Sequence, residues 1–385
     1  MLVETFHIVR DLSRLHEITS TLIRYGGGDL VRVLGLGNLL ENAGRILHWQ
    51  ENAELRALEP AARARRALED LGPTFVKLGQ VLATRVDVFP PNWIAEFEKL
   101  QSAVPPVAFE EVRAEVEQAL GRPLMEVFPE VETDAFAAAS IAQVHRASLP
   151  DGTPVVLKIR RPGIGPKIEA DLRIVRHIAR LMESDIPEMR RYQPVQIVEE
   201  FAKSLRRELD LAFEARNMDR FRENFAGVGH VVIPRVYWEW TSEVMNVQER
   251  IDGVPGTDLK AVDAAGFDRR LLAARAGDSV LKMILVDGFF HADPHPGNVF
   301  YLPGNRIAML DFGMVGRLSE ARRDQIVDLL AALSRRDERG VMDVVIDWTG
   351  DATVNEERLT ADIGSLIFTY DRVPLKDVNV GQLLN

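Results

Sequence analysis

The stretch His291-Ala292-Asp293-Pro294-His295-Pro296-Gly297-Asn298, followed by Asp311-Phe312-Gly313 at the end of the apolar run IAMLD, decides how this chain is read. Phosphoryl transfer needs one carboxylate near the attacking hydroxyl or water, and an Asn and a second Asp to hold Mg2+ across the nucleotide phosphates. Oxygen ligands suit that hard cation, which keeps waters and takes few protein groups. Asp293, Asn298 and Asp311 offer this set, and the Pro and Gly residues between the first two make a tight loop able to aim both side chains at one point. Taken singly, an Asp-Pro or an Asp-Phe-Gly reads as a turn; the spaced set is what carries the chemistry. A competing reading makes His291 and His295 metal ligands. Such a pair normally sits on a helix, and a Pro-Gly loop provides none.

Upstream, Lys158 lies in VVLKIRR, the second arm of a β-hairpin expected around Pro150-Asp151-Gly152. Alternation places Val156 and Lys158 on one face, so the ammonium points into a cleft, where a nucleotide-binding lysine would pair with a helix glutamate. The plain alternative is a solvated edge lysine. Before it, where a glycine-rich phosphate-covering loop would stand, the chain has Ala137-Ala138-Ala139-Ser140-Ile141-Ala142. Alanine allows close backbone approach but lacks glycine's freedom at positive φ; alone, the run reads as helix or core packing.

A further element is Lys77-Leu78-Gly79-Gln80. On a helix Lys77 and Gln80 share a face, and the interior glycine, costing ~1 kcal/mol relative to Ala, implies close approach of a neighbour. The carboxylates able to answer Lys77 or Lys158 lie on RRELDLAFEARN: Glu208, Asp210 and Glu214. Spacing does not choose among them.

Around these motifs the pattern is helical up to about residue 120. Phe6, Val9, Leu12 and Leu15 recur at helical steps, Gly26-Gly27-Gly28 breaks the first helix, and ARARRALEDL stops at Gly72-Pro73. Thr74 opens TFVKLGQVLATR, Pro90-Pro91 and Pro105-Pro106 bracket WIAEFEKLQ, and Phe109 to Leu120 ends at Gly121. The period then becomes two through FAAASIAQVHRASL and TPVVLKIRR. Helices are expected over 165–183 and 194–224, then the strand-like VVIPRVYWEW and EVMNVQERI, a turn at Asp252-Gly253, and a helical remainder interrupted by the two catalytic motifs. The expected architecture is a two-lobed α+β fold: a helical extension (1–122), a sheet-bearing lobe with inserted helices (123–253) and a largely helical lobe (254–385).

Composition removes several classes. With 58 acidic and 47 basic residues the net charge is −11, which argues against duplex nucleic acid as a partner. The absence of cysteine excludes disulfides, thiolate zinc sites and cysteine nucleophiles. No run reaches the ~18 apolar residues of a spanning helix; the best, Ser279 to Phe290, carries Lys282 and Asp287. The amphipathic N-terminus does not read as a signal peptide. VPLKDVNVGQLLN ends while an apolar pattern (Val380, Leu383, Leu384) is starting, so the chain is expected to be cut inside a helical segment, a frayed natural terminus being the alternative.

Together, KLGQ at 77–80, AAASIAQVH at 137–145, Glu208-Leu209-Asp210, and HADPHPGN with DFG resemble the AarF/UbiB family of atypical, protein-kinase-like proteins linked to ubiquinone biosynthesis. The resemblance implies a protein-kinase-like fold that uses ATP and Mg2+. It makes Lys158 the nucleotide lysine with Glu208 as its partner, Asp293 the catalytic-loop aspartate, and Asn298 and Asp311 the metal ligands. Ala137, Ala138, Ala139 and Ser140 would cover the phosphates, and the backbone of Glu249 to Ile251 would meet adenine. Lys77 and Gln80 would reach the active site near Glu208, Asp210 and Glu214, where a protein substrate would otherwise dock, inhibiting protein phosphorylation and favouring an ATPase-like cycle.

Two departures from ordinary protein kinases agree with the resemblance. Ala292 replaces the arginine of His-Arg-Asp, and after Gly313 the chain turns helical with no Ala-Pro-Glu platform for a peptide. Implied partners are ATP, membrane lipids, quinone precursors and quinone-biosynthesis proteins. The implied location is the cytoplasmic side of a membrane, peripheral or through a C-terminal anchor that family members carry. A small-molecule phosphotransferase, or a nucleotide-switched scaffold binding lipid or protein, are the alternative readings.

Overall fold

A computed structural model describes residues 12–26, 58–100, 104–349 and 355–369. They belong to two units, one within Met1–Asp219 and Arg235–Arg250, the other within Arg220–Pro234 and Ile251–Asn385. Phe6, Val9, Gly27, Gly28, Gln101 and the C-terminal stretch from Val373 lie outside the described residues. The helical extension and the first sheet lie within the first unit.

In the first unit, α1 (Leu12–Arg24) is followed by α2 (Pro60–Leu71) and α3 (Pro73–Leu82). Gly72 separates α2 from α3 at φ +93°, a conformation open to glycine, and Pro73 then starts α3 with its missing N–H at no cost. The short α4 (Pro91–Phe97) and α5 (Phe109–Leu120) follow; Glu110 and Glu111 in the first turn of α5 complement its dipole. After the one-turn α6 (Leu124–Val127) come β1 (Glu130–Val131), β2 (Ala137–Ala138), β3 (Ala142–Ser148) and β4 (Pro154–Arg160). The chain continues through α7 (Ile164–Asp185), α8 (Pro194–Leu209) and α9 (Leu211–Asn224). Asp210 breaks what the periodicity predicts as one helix over 194–224: its carboxylate accepts from Ala212 and Phe213 N–H and caps α9.

The first sheet is antiparallel, in the order β1-β3-β4-β6 with β2 also on β3, where β6 is Met245–Glu249. The expected hairpin forms, with Gly152 N–H donating to the Leu149 carbonyl. Val155, Leu157 and Ile159 on β4 are buried against Val112 and Val116 of α5, while Val156 and Lys158 take the other face. VVIPRVYWEW yields only β5 (Val231–Val232) and an isolated bridge at Val236, because Pro234 has no N–H to give a ladder.

The second unit holds β5, β7 (Val254–Pro255), α10 (Leu259–Ala264) and α11 (Arg269–Leu281). A π-helical turn, Lys282–Asp287, precedes β8 (Phe289–His291). Then come β9 (Val299–Leu302), β10 (Arg306–Met309), β11 (Val315–Arg317), α12 (Glu320–Arg335), α13 (Glu338–Thr349) and α14 (Glu356–Thr369). One sheet runs β5-β10-β9-β7, parallel only between β5 and β10, and β8 pairs with β11 in a second. Val262, Leu272 and Ile307 form the core behind the first; Ala332, Val341 and Ile363 knit α12, α13 and α14. Among the described residues no helix is long and apolar enough to cross a membrane.

Candidate active site

In the second unit two short strands fasten the HADPHPGN and DFG motifs together. His291 lies opposite Val315 in the β8–β11 pair, Ala292 N–H donates to the Met314 carbonyl at 3.0 Å, and Leu310 N–H donates to the Asn298 carbonyl at 3.0 Å. Phe312 is fully buried, its ring 4.9 Å from Phe221 and 5.5 Å from His291. The Asp311 carbonyl, an obligate acceptor, faces His291 Nε2, so that nitrogen carries the proton. Nδ1 then accepts from the Asp293 N–H at 3.1 Å. With both ring nitrogens engaged, His291 is a strut that joins the two motifs rather than a metal ligand. His295 accepts from the Gly297 N–H at 3.0 Å and opens the 3-10 turn Pro296–Asn298.

The same loop brings Asp293 and Asn298 side by side. Asn298 Nδ2 lies 3.3 Å from Asp293 Oδ2, which turns the amide oxygen the other way. Asp311 Oδ1 accepts from the Gly313 N–H at 2.9 Å, fixing its carboxylate. Among the described residues no three His, Asp or Glu side chains gather as a metal site. One carboxylate and one amide oxygen is instead a sparse, hard donor set. It fits Mg2+, which relies on waters and phosphate oxygens for its remaining positions. Asn298 and Asp311 are the residues that would hold it.

In the first unit the geometry assigns the partners that spacing left open. Lys158 donates to Glu214 Oε1 at 2.8 Å. Glu214 is buried in the first turn of α9, where the helix dipole also favours its charge. Glu208, which the resemblance gives to Lys158, instead holds Lys77 at 2.6 Å. The break at Asp210 separates the two carboxylates: Glu208 lies in the last turn of α8, and Glu214 in the first turn of α9. Asp210 itself is spent on the α9 cap and on Arg216, at 2.8 Å.

Gln80 Nε2 donates to the Leu100 carbonyl at 3.0 Å. A Cβ on Gly79 would come within 2.3 Å of Leu100 Cδ1 and 2.8 Å of Leu68 Cδ1, so the close approach expected there is to α2 and the residues after α4. Ala137 and Ala138 pair with Val144 and Gln143, and Ala139 N–H donates to the Ala142 carbonyl at 2.8 Å. The alanine run is therefore a tight β-turn with Ser140 buried inside it, not a helix. At the end of β6, Glu249 N–H donates to the Arg235 carbonyl and Arg250 N–H to the Pro154 carbonyl; at Ile251 the chain passes into the second unit.

Residues 99–345 match the family model described as the ABC1 atypical kinase-like domain. The chain belongs to this family. It is 38% identical over 380 residues to the "Probable protein kinase UbiB" of Azotobacter vinelandii, covering 96% of this chain and 70% of that protein. Its identity to the protein of the same name in Marinobacter nauticus is 39% over 380 residues, covering 97% and 69%. For that of Aliivibrio fischeri it is 36% over 381 residues, covering 97% and 70%. As a member of the ABC1 family the chain is a kinase-type enzyme with the expected kinase-like α+β fold.

The ABC1 motifs also contain framework residues that the sequence analysis missed. Gln143 Oε1 accepts from Val107 N–H at 2.9 Å, Gln143 Nε2 lies 2.9 Å from His145 Nε2, and His145 Nδ1 lies 2.8 Å from the Glu132 carbonyl. Both side chains sit fully buried on the core-facing parity of β3. Two polar residues at inward positions of a strand were the available signal, since such groups persist in a core only when satisfied. A buried cluster of Arg14, Thr74 and Asp171 was missed too, and its members are too far apart in sequence to suggest one another.

Proposed function

We propose that this chain is an ATP- and Mg2+-dependent phosphoryl-transfer enzyme whose working cycle is chiefly ATP hydrolysis, supporting ubiquinone biosynthesis at a membrane. The observation that carries the reading is the pairing of two lysines with two glutamates on consecutive helices: Lys158 with Glu214 and Lys77 with Glu208. A lysine fixed by a buried glutamate is the element that meets the α- and β-phosphates in kinase-type enzymes. A second lysine, from the extension, held by the neighbouring Glu208, supports a role for KLGQ in restraining phosphorylation of other proteins. The chain after Gly313 supports the same view, since β11 and α12 follow at once.

The chemistry follows from the side chains. Asp293 would orient the attacking water or hydroxyl and accept its proton, while Lys158 would neutralise phosphate charge. Asn298 and Asp311 would hold Mg2+, which when bound neutralises charge developing on the phosphate oxygens. The alanine turn at 137–140 would lie over the phosphates, and the backbone at Glu249 to Ile251 would meet adenine. Quinone precursors, quinone-biosynthesis proteins and membrane lipids are the partners that the family resemblance supports.

The test is a thermal shift with ATP, with and without Mg2+, in the intact chain and in Asp311→Asn. Ligand at a hundred times its Kd stabilises by about 2.7 kcal/mol. A Mg2+-dependent shift that Asp311→Asn loses is the expected result; no shift in the intact chain would overturn the reading.

A further inference from the structure

The helix that presents Lys77 is anchored by a single buried carboxylate. Asp171, in the middle of α7, is fully buried and accepts three hydrogen bonds from two directions. Arg14 on α1 donates from Nε to Oδ1 at 2.6 Å and from Nη2 to Oδ2 at 3.2 Å; Thr74 on α3 donates from Oγ1 to Oδ2 at 2.6 Å. Arg14 Nη2 also donates to the Leu71 carbonyl at 2.6 Å, at the end of α2. Burial pushes the Arg14 pKa down, but the hydrogen bonds to Asp171 and Glu17 outweigh it and leave the pKa above its usual value, so the guanidinium stays charged.

We propose that Asp171 is the positioning residue for the Lys77 helix: held by Arg14, it takes the Thr74 hydroxyl and so sets the register at which Lys77 meets Glu208. This rests on the reading of Lys77 as a restraint on the site. Apolar contacts wrap α3 on several sides. Phe75 packs with α1 and α7, Val76 with Phe97, and Leu78 and Val81 with the α7–α8 core. These contacts are non-directional, whereas the short hydrogen bond from Thr74 to a charged oxygen fixes both distance and direction at the start of α3. Thr74 lies one helical turn before Lys77, so a shift at the α3 start is delivered to the ammonium.

The experiment uses limited acetylation of the full chain with an N-hydroxysuccinimide ester, the rate at Lys77 being read by mass spectrometry against exposed Lys260. Thr74→Val deletes the hydroxyl while Asp171 keeps both bonds from Arg14, so its charge remains paired. It should raise the Lys77 rate by roughly 10–100-fold, the population equivalent of one hydrogen bond to a charged group, and Thr74→Ser should restore protection. Should the valine variant not fold, Thr74→Ala at reduced temperature gives the same reading. An unchanged Lys77 rate in a folded variant lacking the hydroxyl, or a serine variant that regains stability without regaining protection, overturns the proposal. Lys77→Ala isolates the underlying reading: if it changes neither ATP affinity nor turnover, the restraint role falls, while the acetylation rates still decide the positioning role.

Discussion

The loop-and-turn region at 291–313 and helix α3 both carry family motifs, but they are assembled from different kinds of contact. Around Asp293 the bonds that shape the site stay within one short segment of chain, residues 289–317: His291 with Asp293 and Asp311, Asn298 with Asp293, Gly313 with Asp311, and the β8–β11 pairing. Asp293 is exposed, and His291, Asn298 and Asp311 are half-buried. Around α3 the bonds reach across the chain, from Thr74 to Asp171, Lys77 to Glu208 and Arg14 to Asp171, and the central carboxylate is buried. A local scaffold can lose a side chain and keep its shape. A buried long-range cluster loses shape and stability together, because a charge left unpaired in the interior has no water to turn to.

Asp293→Asn should separate chemistry from folding most sharply. Turnover is expected to fall by about 10²–10⁴-fold, the usual weight of a positioned general base. The melting temperature should hardly move, since this side chain is exposed. A steady-state ATPase assay beside a melting curve checks both halves, and a large loss of stability would erase the contrast between the two regions.

Arg14→Ala is the opposite experiment. It strips Asp171 of its charge partner and should cost about 3–5 kcal/mol in denaturant unfolding. A loss below about 1 kcal/mol, on the scale of a surface pair, would mean that the cluster does not hold the extension in place.

The smallest effect concerns the outer face of α7 and α8, where Arg206 donates to Glu169 at 2.7 and 2.9 Å. That hydrogen bond holds the Glu169 carboxyl below its ordinary value of 4.5. A depressed carboxyl contributes stability that is complete above the ordinary value and disappears as pH falls through the depressed one. Wild type and Arg206→Gln should therefore differ by less than about 1 kcal/mol near neutral pH, given how exposed the pair is. The two unfolding curves should merge in acid; a gap that persists there would assign the difference to packing of the arginine stem.

The same division explains what could be read in advance. HADPHPGN with DFG, the Pro150-Asp151-Gly152 turn, the hairpin and the stop at Gly72-Pro73 were legible, because turn chemistry and alternation act over a few residues. The single helix expected over 194–224 was not broken in advance, because Asp210 caps α9 only once its side chain folds back on Ala212 and Phe213. The alanine run was ambiguous for a related reason: its residues favour helix, and only pairing with β3 makes it a turn.

Residue types and local spacing by themselves indicated the residues proposed for the chemistry: a carboxylate, an amide and a second carboxylate in one loop-and-turn set, and a lysine on the face of a strand opposite the core. Tertiary structure alone decided which glutamate answers which lysine. Glu208 and Glu214 are equally plausible partners on paper, and the break at Asp210 sends one to Lys77 and the other to Lys158. It also decided that Arg14, Thr74 and Asp171 form one cluster. An ion pair is selected by distance and burial, and neither is a property of the linear chain.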